Sequence, residues 1–398
     1  MKQQQDAYIV AATRTPIGRS HKGFFRNYRP DDLLATILKS ALAQAPGLDP
    51  KAIEDVICGC AIPEAQQGLN VARIGAVLAG LPTSVGGITV NRFCASGLSA
   101  VAMAADRIRV GEADVMIAAG VESMSMVPMM GNAPSLSLSI FERDGDVGIA
   151  YGMGLTAEKV AQQWKVTREA QDAFALESHR RAIAAQQAGE FASEITPIEV
   201  TDRGLDLASG DIVASTRTVD LDEGPRPDTS LEGLARLRTV FAARGTVTAG
   251  NSSQTSDGAG ALILASEAAV KRFGLTPLAR FVSYASKGVP PQIMGIGPIE
   301  AIPAALRYAG LKQDDMDWIE LNEAFAAQSL AVVNTLGLDM SKVNPMGGAI
   351  ALGHPLGATG AIRSATVVHA LQRKKLKYGM VTMCVGMGQG AAGIFERV

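Results

Sequence analysis

The sequence has few cysteines and no long apolar run, and each shortage excludes a class of protein. Four cysteines in 398 residues are too few for a disulfide framework, so free thiols in a reducing cytoplasm are expected. No apolar stretch long enough to cross a membrane follows the N-terminus, and we therefore expect neither secretion nor membrane insertion. The last three residues are not Ser-Lys-Leu, so that peroxisomal address is not expected either.

A surplus of one charge is also missing. The formal net charge is −2 at pH 7 and no block of like charges occurs, which predicts no nucleic-acid partner. The sequence contains no Walker-type phosphate loop, which disfavours an enzyme built around a nucleotide cofactor. Cys58 and Cys60 form a C-x-C pair without a second pair at metal-binding spacing. We therefore predict no metal site and expect these two side chains to pack within a strand.

What the sequence does contain is enough apolar material for a large core, since 47% of its residues are apolar and 19% are charged. Its length predicts two or three domains. Short apolar runs typical of buried strands alternate with stretches at helical spacing, which predicts an α/β layered fold. Strands are predicted at residues 8–12, 56–61, 88–90, 115–119, 258–264 and 380–383, and helices at residues 31–42, 70–80 and 95–110 and after Thr167.

A weak internal repeat indicates that the fold is duplicated. The repeated pairs, in the same order in both parts, are 57–64 with 319–325, Val90-Asn91 with Val343-Asn344, 95–97 with 358–360, and 113–120 with 378–386. We therefore predict two similar α/β halves, with Cys94 and His354 at equivalent strand-to-helix turns.

The pattern changes between the halves, where a long helix and a polar stretch predict an inserted loop domain. The predicted domains are residues 1–122 together with 247–274, the loop domain at 123–246, and residues 275–398.

Four short segments rich in small residues carry side chains with chemical potential. Cys94 lies in Asn-Arg-Phe-Cys-Ala-Ser-Gly-Leu, Asn322 in Asn-Glu-Ala-Phe, His354 in Gly-His-Pro-Leu-Gly-Ala-Thr-Gly, and Cys384 in Cys-Val-Gly-Met-Gly-Gln-Gly. Two thiols, an imidazole and an amide can together supply a nucleophile, a base, an acid and a group that orients an oxyanion. Because Cys94 follows a strand and precedes a helix, we expect the helix N-terminus to lower the pKa of its thiol.

Each residue also has a structural interpretation when taken alone. A lone cysteine is most often buried for packing, a loop histidine often serves a structural hydrogen bond, and an asparagine before a glutamate is often a helix cap. His21, His179 and His369 have no comparable context, and we interpret them as ordinary surface or packing residues.

The four segments, in this order, resemble those of the thiolases, which make or cleave 3-ketoacyl-CoA, and the resemblance extends from Ala7 to the C-terminus. It implies a duplicated five-layer αβαβα fold with an inserted loop domain. It also implies that Cys94 is the nucleophile, His354 its base, and Cys384 the acid that moves the proton at the acetyl carbon. Asn322 would hold a water that stabilises the enolate with the histidine, and the backbone N–H groups of Cys94 and Gly386 would meet the tetrahedral oxyanion.

The same resemblance implies how coenzyme A is bound, as a co-substrate rather than a tightly held cofactor. Ala249, Gly250 and Ser253 match the segment along pantetheine, and Met153 matches a methionine near the thioester. The remaining matches near the nucleotide and the pantetheine arm are Arg226, Phe241, Ala324 and Phe325. One departure is Gly152, which stands where thiolases specific for acetoacetyl-CoA carry a histidine.

The resemblance favours the degradative 3-ketoacyl-CoA thiolases, on the strings at 289–298 and 252–258. Three rivals stay open at this point: a biosynthetic acetoacetyl-CoA thiolase, a β-ketoacyl synthase, and a catalytically silent lipid-binding protein of the same fold. A homodimer or homotetramer is implied, and the small residues around Cys94 are expected to pack near its interface. The acyl chain of the substrate is not fixed by the sequence.

Overall fold

The computed structural model describes residues 5–143, 145–205, 207 and 209–398, and within them strands and helices alternate along most of the chain. The strands are β1 (Tyr8–Arg14), β2 (Gly18–Arg19), β3 (Asp55–Gly59), β4 (Gly86–Val90), β5 (Val115–Ser123), β6 (Ile198–Leu205), β7 (Ile212–Val219), β8 (Ser256–Ala265), β9 (Ala279–Gly288), β10 (Trp318–Leu321), β11 (Tyr378–Val385) and β12 (Gln389–Arg397). The helices are α1 (Pro30–Ala43), α2 (Val71–Leu78), α3 (Ser96–Arg109), α4 (Met153–Gln163), α5 (Arg168–Gln187), α6 (Leu231–Ala235), α7 (Glu267–Phe273), α8 (Gly297–Ala309), α9 (Ala326–Leu336), α10 (Ala349–Leu352) and α11 (Thr359–Lys374).

The main sheet consists of two halves with the same strand order. Its sequence is β10-β11-β12-β9-β1-β8-β5-β3-β4, with β2 beside β8. Outward from the centre, β1, β8, β5 and β3 correspond to β9, β12, β11 and β10. In each half the first two pairings are antiparallel and the third is parallel. The predicted duplication is therefore confirmed at the level of individual strands.

The helices complete a layered arrangement. Helices α3 and α11 pack against each other and contact strands of both halves, so they form a central layer. Helices α1 and α2 cover the outer face of the first half, and α8 covers that of the second. Separate apolar clusters fill the spaces between the layers, the central one including the edge-on ring pair Phe281 and Phe395.

Local sequence signals explain where several helices begin and end. The Asn70 side chain accepts a hydrogen bond from the Arg73 N–H and caps α2, and Gly80 follows the helix with a φ of 79°. Thr167 caps α5 in the same way, through the Ala170 N–H. The strand predicted at 56–61 ends earlier, at Gly59, and Cys60 and Ala61 belong to the loop that follows it.

Small residues allow the two central helices to approach closely. A Cβ atom at Gly97 would lie 2.6 Å from the Ala361 nitrogen, and one at Gly360 would lie 2.0 Å from the Leu98 nitrogen. The small residues after Cys94 serve this contact inside the chain, and their expected place near a subunit interface stays a prediction.

The segment between β5 and β8 carries α4, α5 and α6 and a separate two-stranded sheet of β6 and β7. A buried ion-pair network joins it to the first strand: the Arg14 guanidinium lies 2.6 Å from Glu194 and 2.7 Å from Asp222. Searched over the described residues, none of the helices combines the length and apolar character that a membrane crossing requires.

Candidate active site

Cys94 lies in a short 3₁₀ turn, Phe93–Ala95, that connects β4 to α3. Its side chain is buried, and the backbone N–H groups of Gly386 and of Cys94 itself lie against the sulfur. Burial raises the pKa of the thiol to about 12, and the two N–H groups oppose that rise. The predicted fall in pKa is therefore wrong, because loss of hydration outweighs the field of the helix end.

Cys384 lies near the end of β11, opposite Gly390 of β12. It is fully buried, and burial followed by the neighbouring Cys94 raises its pKa well above the usual value. The two thiols predicted from separate segments are thus neighbours. Beyond β11 the chain turns through Met387 and Gly388, both at positive φ, and this turn brings Gly386 to Cys94.

His354 follows α10 in an extended loop that hydrogen-bonds with the residues before β8. Its backbone N–H donates to the Gln254 carbonyl and to the Ser256 hydroxyl, each at 3.2 Å. Its Nδ1 lies 2.6 Å from the Thr359 hydroxyl oxygen. Because that hydroxyl also lies 3.2 Å from the Pro355 carbonyl, to which it can donate its own hydrogen, we assign the imidazole hydrogen to Nδ1 as the donor to Thr359.

This hydrogen bond fixes the tautomer of the histidine. With its hydrogen on Nδ1, the imidazole has an unprotonated Nε2, which accepts from the Asn322 amide N–H at 3.3 Å. Burial, and secondly the positive charge of Arg363, lowers the pKa of His354 to about 3. The imidazole is therefore neutral at pH 7, with a basic nitrogen facing Asn322.

Asn322 directly follows β10 and is buried beside His354. It does not cap a helix, since α9 starts only at Ala326 and is capped at Phe325. Its Oδ1 is buried and has no hydrogen-bond partner among the described residues. The next residue, Glu323, accepts from the Ser178 hydroxyl at 2.6 Å and the Asn344 amide at 2.8 Å. Glu323 thus ties this segment to α5 and to Asn344.

The residues predicted to bind coenzyme A separate into an outer and an inner group. Arg226, Ala249 and Gly250 line an open cavity of about 250 Å³. The Ser253 N–H lies farther in, where it donates to the Ala324 carbonyl at 2.9 Å.

The inner group is apolar and reaches the thiols. Ala324, Phe325 and Met153 pack in one cluster with Cys384. The Phe241 ring meets the Phe325 ring edge-on, with 6.0 Å between centroids. The two groups together resemble a path from an open cavity to the buried thiols.

A second, much smaller cavity of about 20 Å³ opens beside Gly386. Its walls include Phe93, Met153, Met294 and Met387. Gly152 lies next to it, and a Cβ atom built there would meet nothing within 4 Å. Gly152 is exposed, so this open space faces solvent, and the predicted free space beside the acyl group stays a prediction.

Sequence reasoning missed some residues of this site. His179 was interpreted as an ordinary residue, but it lines the outer cavity and its Nδ1 accepts from the Arg226 N–H at 3.2 Å. Burial, followed by the charge of Arg226, lowers its pKa to about 4. Thr359 was also missed, although it decides the tautomer of His354. Thr359 lies within the segment that carries His354, but its contact with the ring depends on the turn between them, and the partner of His179 is distant in sequence.

Comparisons with known proteins agree with this geometry. The family described as "Thiolase, N-terminal domain" matches residues 7–268, and "Thiolase, C-terminal domain" matches residues 275–397. The chain belongs to the thiolase family. The resemblance drawn from the four segments is thereby confirmed.

Relatives match the thiolase chain over nearly its whole length. The 3-ketoacyl-CoA thiolase of Bacillus subtilis is 49% identical, covering 98% of this chain and 99% of its own. The peroxisomal 3-ketoacyl-CoA thiolase A of Rattus norvegicus is 47% identical, covering 98% and 88%. The β-ketoadipyl-CoA thiolase of Pseudomonas aeruginosa is also 47% identical, covering 99% and 100%.

Solved structures confirm the fold. Human mitochondrial 3-ketoacyl-CoA thiolase superposes with a TM-score of 0.89 at 40% identity, and 99% of each chain is covered. The same human protein in complex with CoA gives a TM-score of 0.87, covering 99% of this chain and 98% of its own.

Among the described residues, no group of three or more His, Cys, Asp or Glu is arranged to hold a metal ion.

Proposed function

We propose that this thiolase cleaves 3-ketoacyl-CoA with CoA, giving acetyl-CoA and an acyl-CoA shortened by two carbons. The observation that carries the proposal is the meeting of Cys94 and Cys384 in one buried site, together with a buried, neutral His354 beside Asn322. The relatives named 3-ketoacyl-CoA thiolase, matched over nearly the full chain, support the degradative reaction. The chain is accordingly an acyltransferase of lipid metabolism, with CoA as co-substrate.

The cycle begins with acylation of Cys94. His354 Nε2 takes the thiol proton while the sulfur bonds to the 3-keto carbon, so charge arises only as this bond forms. The raised pKa of the thiol and the lowered pKa of the imidazole support this order, because both groups are neutral at rest. The keto oxygen becomes an oxyanion and accepts hydrogen bonds from the N–H groups of Cys94 and Gly386.

The carbon–carbon bond then breaks, and its electron pair moves to the acetyl-CoA carbon. The protonated His354 and a water held by Asn322 stabilise the enolate oxygen, and Cys384 donates its thiol proton to the enolate carbon. The unpaired, buried Oδ1 of Asn322 supports the water-binding role, because buried polar atoms are normally hydrogen-bonded.

The second half-reaction restores the resting site. The thiol of CoA attacks the thioester carbon of acyl-Cys94 and passes its proton to the Cys384 thiolate. The bond to Cys94 breaks, the shortened acyl-CoA leaves, and His354 returns the first proton to the Cys94 sulfur. Every proton removed in the first half-reaction is thereby replaced, and the same site works twice with CoA as the second acceptor.

CoA binding is proposed along the outer and inner groups of residues. The nucleotide end lies in the cavity lined by Arg226, Ala249 and Gly250, and pantetheine runs past Ser253 toward the thiols. Ala324, Phe325, Phe241 and Met153 form the apolar wall of the inner part. Met153, Arg226 and Phe241 come from 123–246, and Ala249, Gly250 and Ser253 come from the segment just before β8. This supports the proposed loop domain at 123–246, between halves at 1–122 with 247–274 and at 275–398.

A direct assay tests the proposed reaction. We expect thiolysis of 3-ketooctanoyl-CoA and acetoacetyl-CoA, with release of acetyl-CoA from both. Preference for acetoacetyl-CoA would assign the chain to the biosynthetic acetoacetyl-CoA thiolases instead. Binding of acyl-CoA without turnover of either substrate would assign it to the silent lipid-binding alternative.

A homo-oligomer is proposed around the edge strand β4. Within the described residues β4 pairs only with β3, and Ile88 on it is 42% exposed. Two such edges pairing around a two-fold axis would satisfy the free backbone groups and cover Ile88. Sedimentation of the wild type should give a dimer or tetramer, and Ile88→Lys should give monomers.

The cytoplasm is proposed as the compartment. The four cysteines are free and buried, which suits a reducing environment. Cell fractionation decides it, since one relative is peroxisomal and one structural neighbour mitochondrial.

A further inference from the structure

Glu122 is a fully buried carboxylate at the end of β5 that is not used in the proposed reaction. Its Oε2 accepts from the Ala61 and Gly357 N–H groups, each at 2.7 Å. Its Oε1 accepts from the Ile62 N–H at 3.3 Å and the Gln67 side-chain amide at 2.5 Å. Burial raises its pKa while these bonds oppose the rise. Because these four N–H groups and the Cys60 thiol, 4.0 Å from Oε1, are all donors, the geometry suits the ionised carboxylate.

These bonds join the two halves of the molecule. Ala61 and Ile62 belong to the loop after β3 in the first half, whereas Gly357 lies in the 3₁₀ turn Leu356–Ala358 of the second. A Cβ atom at Gly357 would lie 2.5 Å from the Ala61 nitrogen, so the turn rests directly on that loop. The carboxylate holds the two backbones together where they approach closely.

The duplicated fold gives Glu122 a telling counterpart. Across the parallel ladders, Gly59 faces Gly120 in the first half and Leu321 faces Thr382 in the second. Two residues farther along each strand lie Glu122 and Cys384. In the same way, Gly357 is central in the turn before α11, as Cys94 is in the turn before α3. The contact of Glu122 with Gly357 is therefore the counterpart of the contact of Cys384 with Cys94.

We propose that Glu122 is a positioning residue for the acylation of Cys94, acting through the turn that carries His354. Gly357 lies between Pro355 and Thr359. The Thr359 hydroxyl accepts from the His354 ring and donates to the Pro355 carbonyl, so both residues fix the ring. Holding the Gly357 N–H thus holds the imidazole in register with the thiol. The inference rests on the proposed function, since it assigns His354 as the base.

The test compares two substitutions that weaken different properties of Glu122. Glu122→Asp keeps the charge but withdraws the carboxylate by about 1.5 Å, the length of one carbon–carbon bond. Glu122→Gln loses the charge but keeps one oxygen that can still accept from Gly357. Glu194→Gln is the matched control, because it changes another fully buried carboxylate, bonded to Arg14 and Thr366.

Each protein is mixed with 3-ketooctanoyl-CoA without CoA, and the acyl adduct on Cys94 is followed by rapid-quench mass spectrometry. Circular dichroism melting reports folding, and steady-state thiolysis gives KM for CoA. We expect acylation to slow about 10- to 100-fold in Glu122→Asp, and less in Glu122→Gln, because a misplacement of about 1 Å costs up to ~100-fold. KM for CoA should stay within about twofold, and Glu194→Gln should acylate like the wild type.

Several results would overturn the inference. One is normal acylation by folded Glu122→Asp, and another is an equal loss in Glu194→Gln, which would mean a merely structural role. A larger loss in Glu122→Gln than in Glu122→Asp would assign the effect to charge rather than position. If neither Glu122 variant folds, Gln67→Met decides: acylation about fivefold slower supports the inference, and unchanged acylation refutes it. A wild type without a Cys94 adduct would refute the proposed function, and this inference with it.

Discussion

Two equivalent clusters, one in each half of the fold, have different chemistry. At the end of β11, Cys384 lies beside the thiol of Cys94. At the corresponding place on β5, Glu122 accepts from the backbone N–H of Gly357, and its nearest thiol, that of Cys60, lies 4.0 Å from Oε1. The comparison teaches that the duplicated scaffold fixes where two side chains meet. The residue types then decide whether that meeting serves reaction or support.

The turns before the two central helices differ in length as well. Cys94 follows the end of β4 closely, whereas the corresponding part of the second half contains α10 between Val343 and Gly357. This extra segment delivers His354 to the site. The nucleophile therefore comes from the first half, and the base comes from an elongation of the second.

The strongest test of this division replaces the nucleophile. Cys94→Ser should fold, since sulfur and oxygen differ little in size, but lose about 10⁴-fold or more in thiolysis because a hydroxyl is rarely ionised. Mass spectrometry after mixing the wild type with 3-ketoacyl-CoA should show the acyl group on Cys94. An adduct on Cys58, Cys60 or Cys384 would contradict the assignment.

The second test removes the thiol that distinguishes β11 from β5. Cys384→Ala should slow carbon–carbon cleavage by about 10²–10⁴-fold, the usual loss for a missing general acid. Transfer of the acyl group from Cys94 to CoA should survive in part, because it needs no proton at carbon. The two half-reactions are measured separately by rapid quench.

Cys58→Ala is the matched control for that test, because it also removes a fully buried thiol but one that packs in β3. It should leave both half-reactions close to wild type. Equal losses of both half-reactions in Cys384→Ala would mean that Cys384 is structural or serves the nucleophile rather than the enolate.

The third test asks whether the histidine delivered by the longer turn is neutral. The unfolded chain protonates it near pH 6.5, but the folded chain does so only near pH 3. The stability it contributes is thus present above pH 6.5 and is lost as pH falls toward 3. Between pH 6 and pH 5 we expect His354→Asn to gain about 1.4 kcal/mol of unfolding free energy relative to the wild type.

Urea unfolding at both pH values measures this difference. Burial raises the pKa of Asp257 to about 6 and that of Glu320 to about 7. In each protein, these two carboxyls change the stability with pH in the direction opposite to His354. Both proteins carry these carboxyls, so their effect cancels in the comparison. A difference that does not change with pH would mean that His354 is protonated in the folded state.

The smallest expected effect concerns the small cavity beside Gly386, to which Met153 of the inserted segment at 123–246 contributes. We expect kcat/KM to rise from acetoacetyl-CoA to 3-ketooctanoyl-CoA, by up to about fourfold for each methylene that finds an apolar wall such as Met294. Gly152→His should reduce this preference, because open space at position 152 accepts the ring.

Gly152→Ala serves as control for that substitution and should keep the preference, since a methyl group fills little of the space. A wild type that gains nothing between four and eight carbons would indicate that the cavity is closed to longer chains.

Much of the fold could be predicted from the sequence, because local patterns specify it. The helix predicted at residues 70–80, the helix predicted after Thr167 and the apolar runs of the strands were all found where predicted, with ends displaced by a few residues. The repeat predicted the two halves. The domain boundaries and the roles assigned to the site residues stay predictions that the experiments above test.

The electrostatics of the site could not be predicted in the same way. Sequence reasoning expected a lowered pKa at Cys94 from its place before a helix, but burial raises it to about 12. The contribution of burial depends on what surrounds the sulfur, and those neighbours come from β11 and from a turn almost 300 residues away.

The sequence by itself determined which residues are available for chemistry: two thiols, an imidazole and an amide in short segments of small residues that let backbones approach closely. Only the tertiary structure decided their working state. The tautomer of His354 depends on Thr359, and the outer cavity includes His179. Glu122, which no motif marks, binds the Ala61 N–H in the first half and the Gly357 N–H in the second. The physical reason is that pKa, tautomer and orientation depend on contacts between segments far apart in the chain, which form only when the two halves pack together.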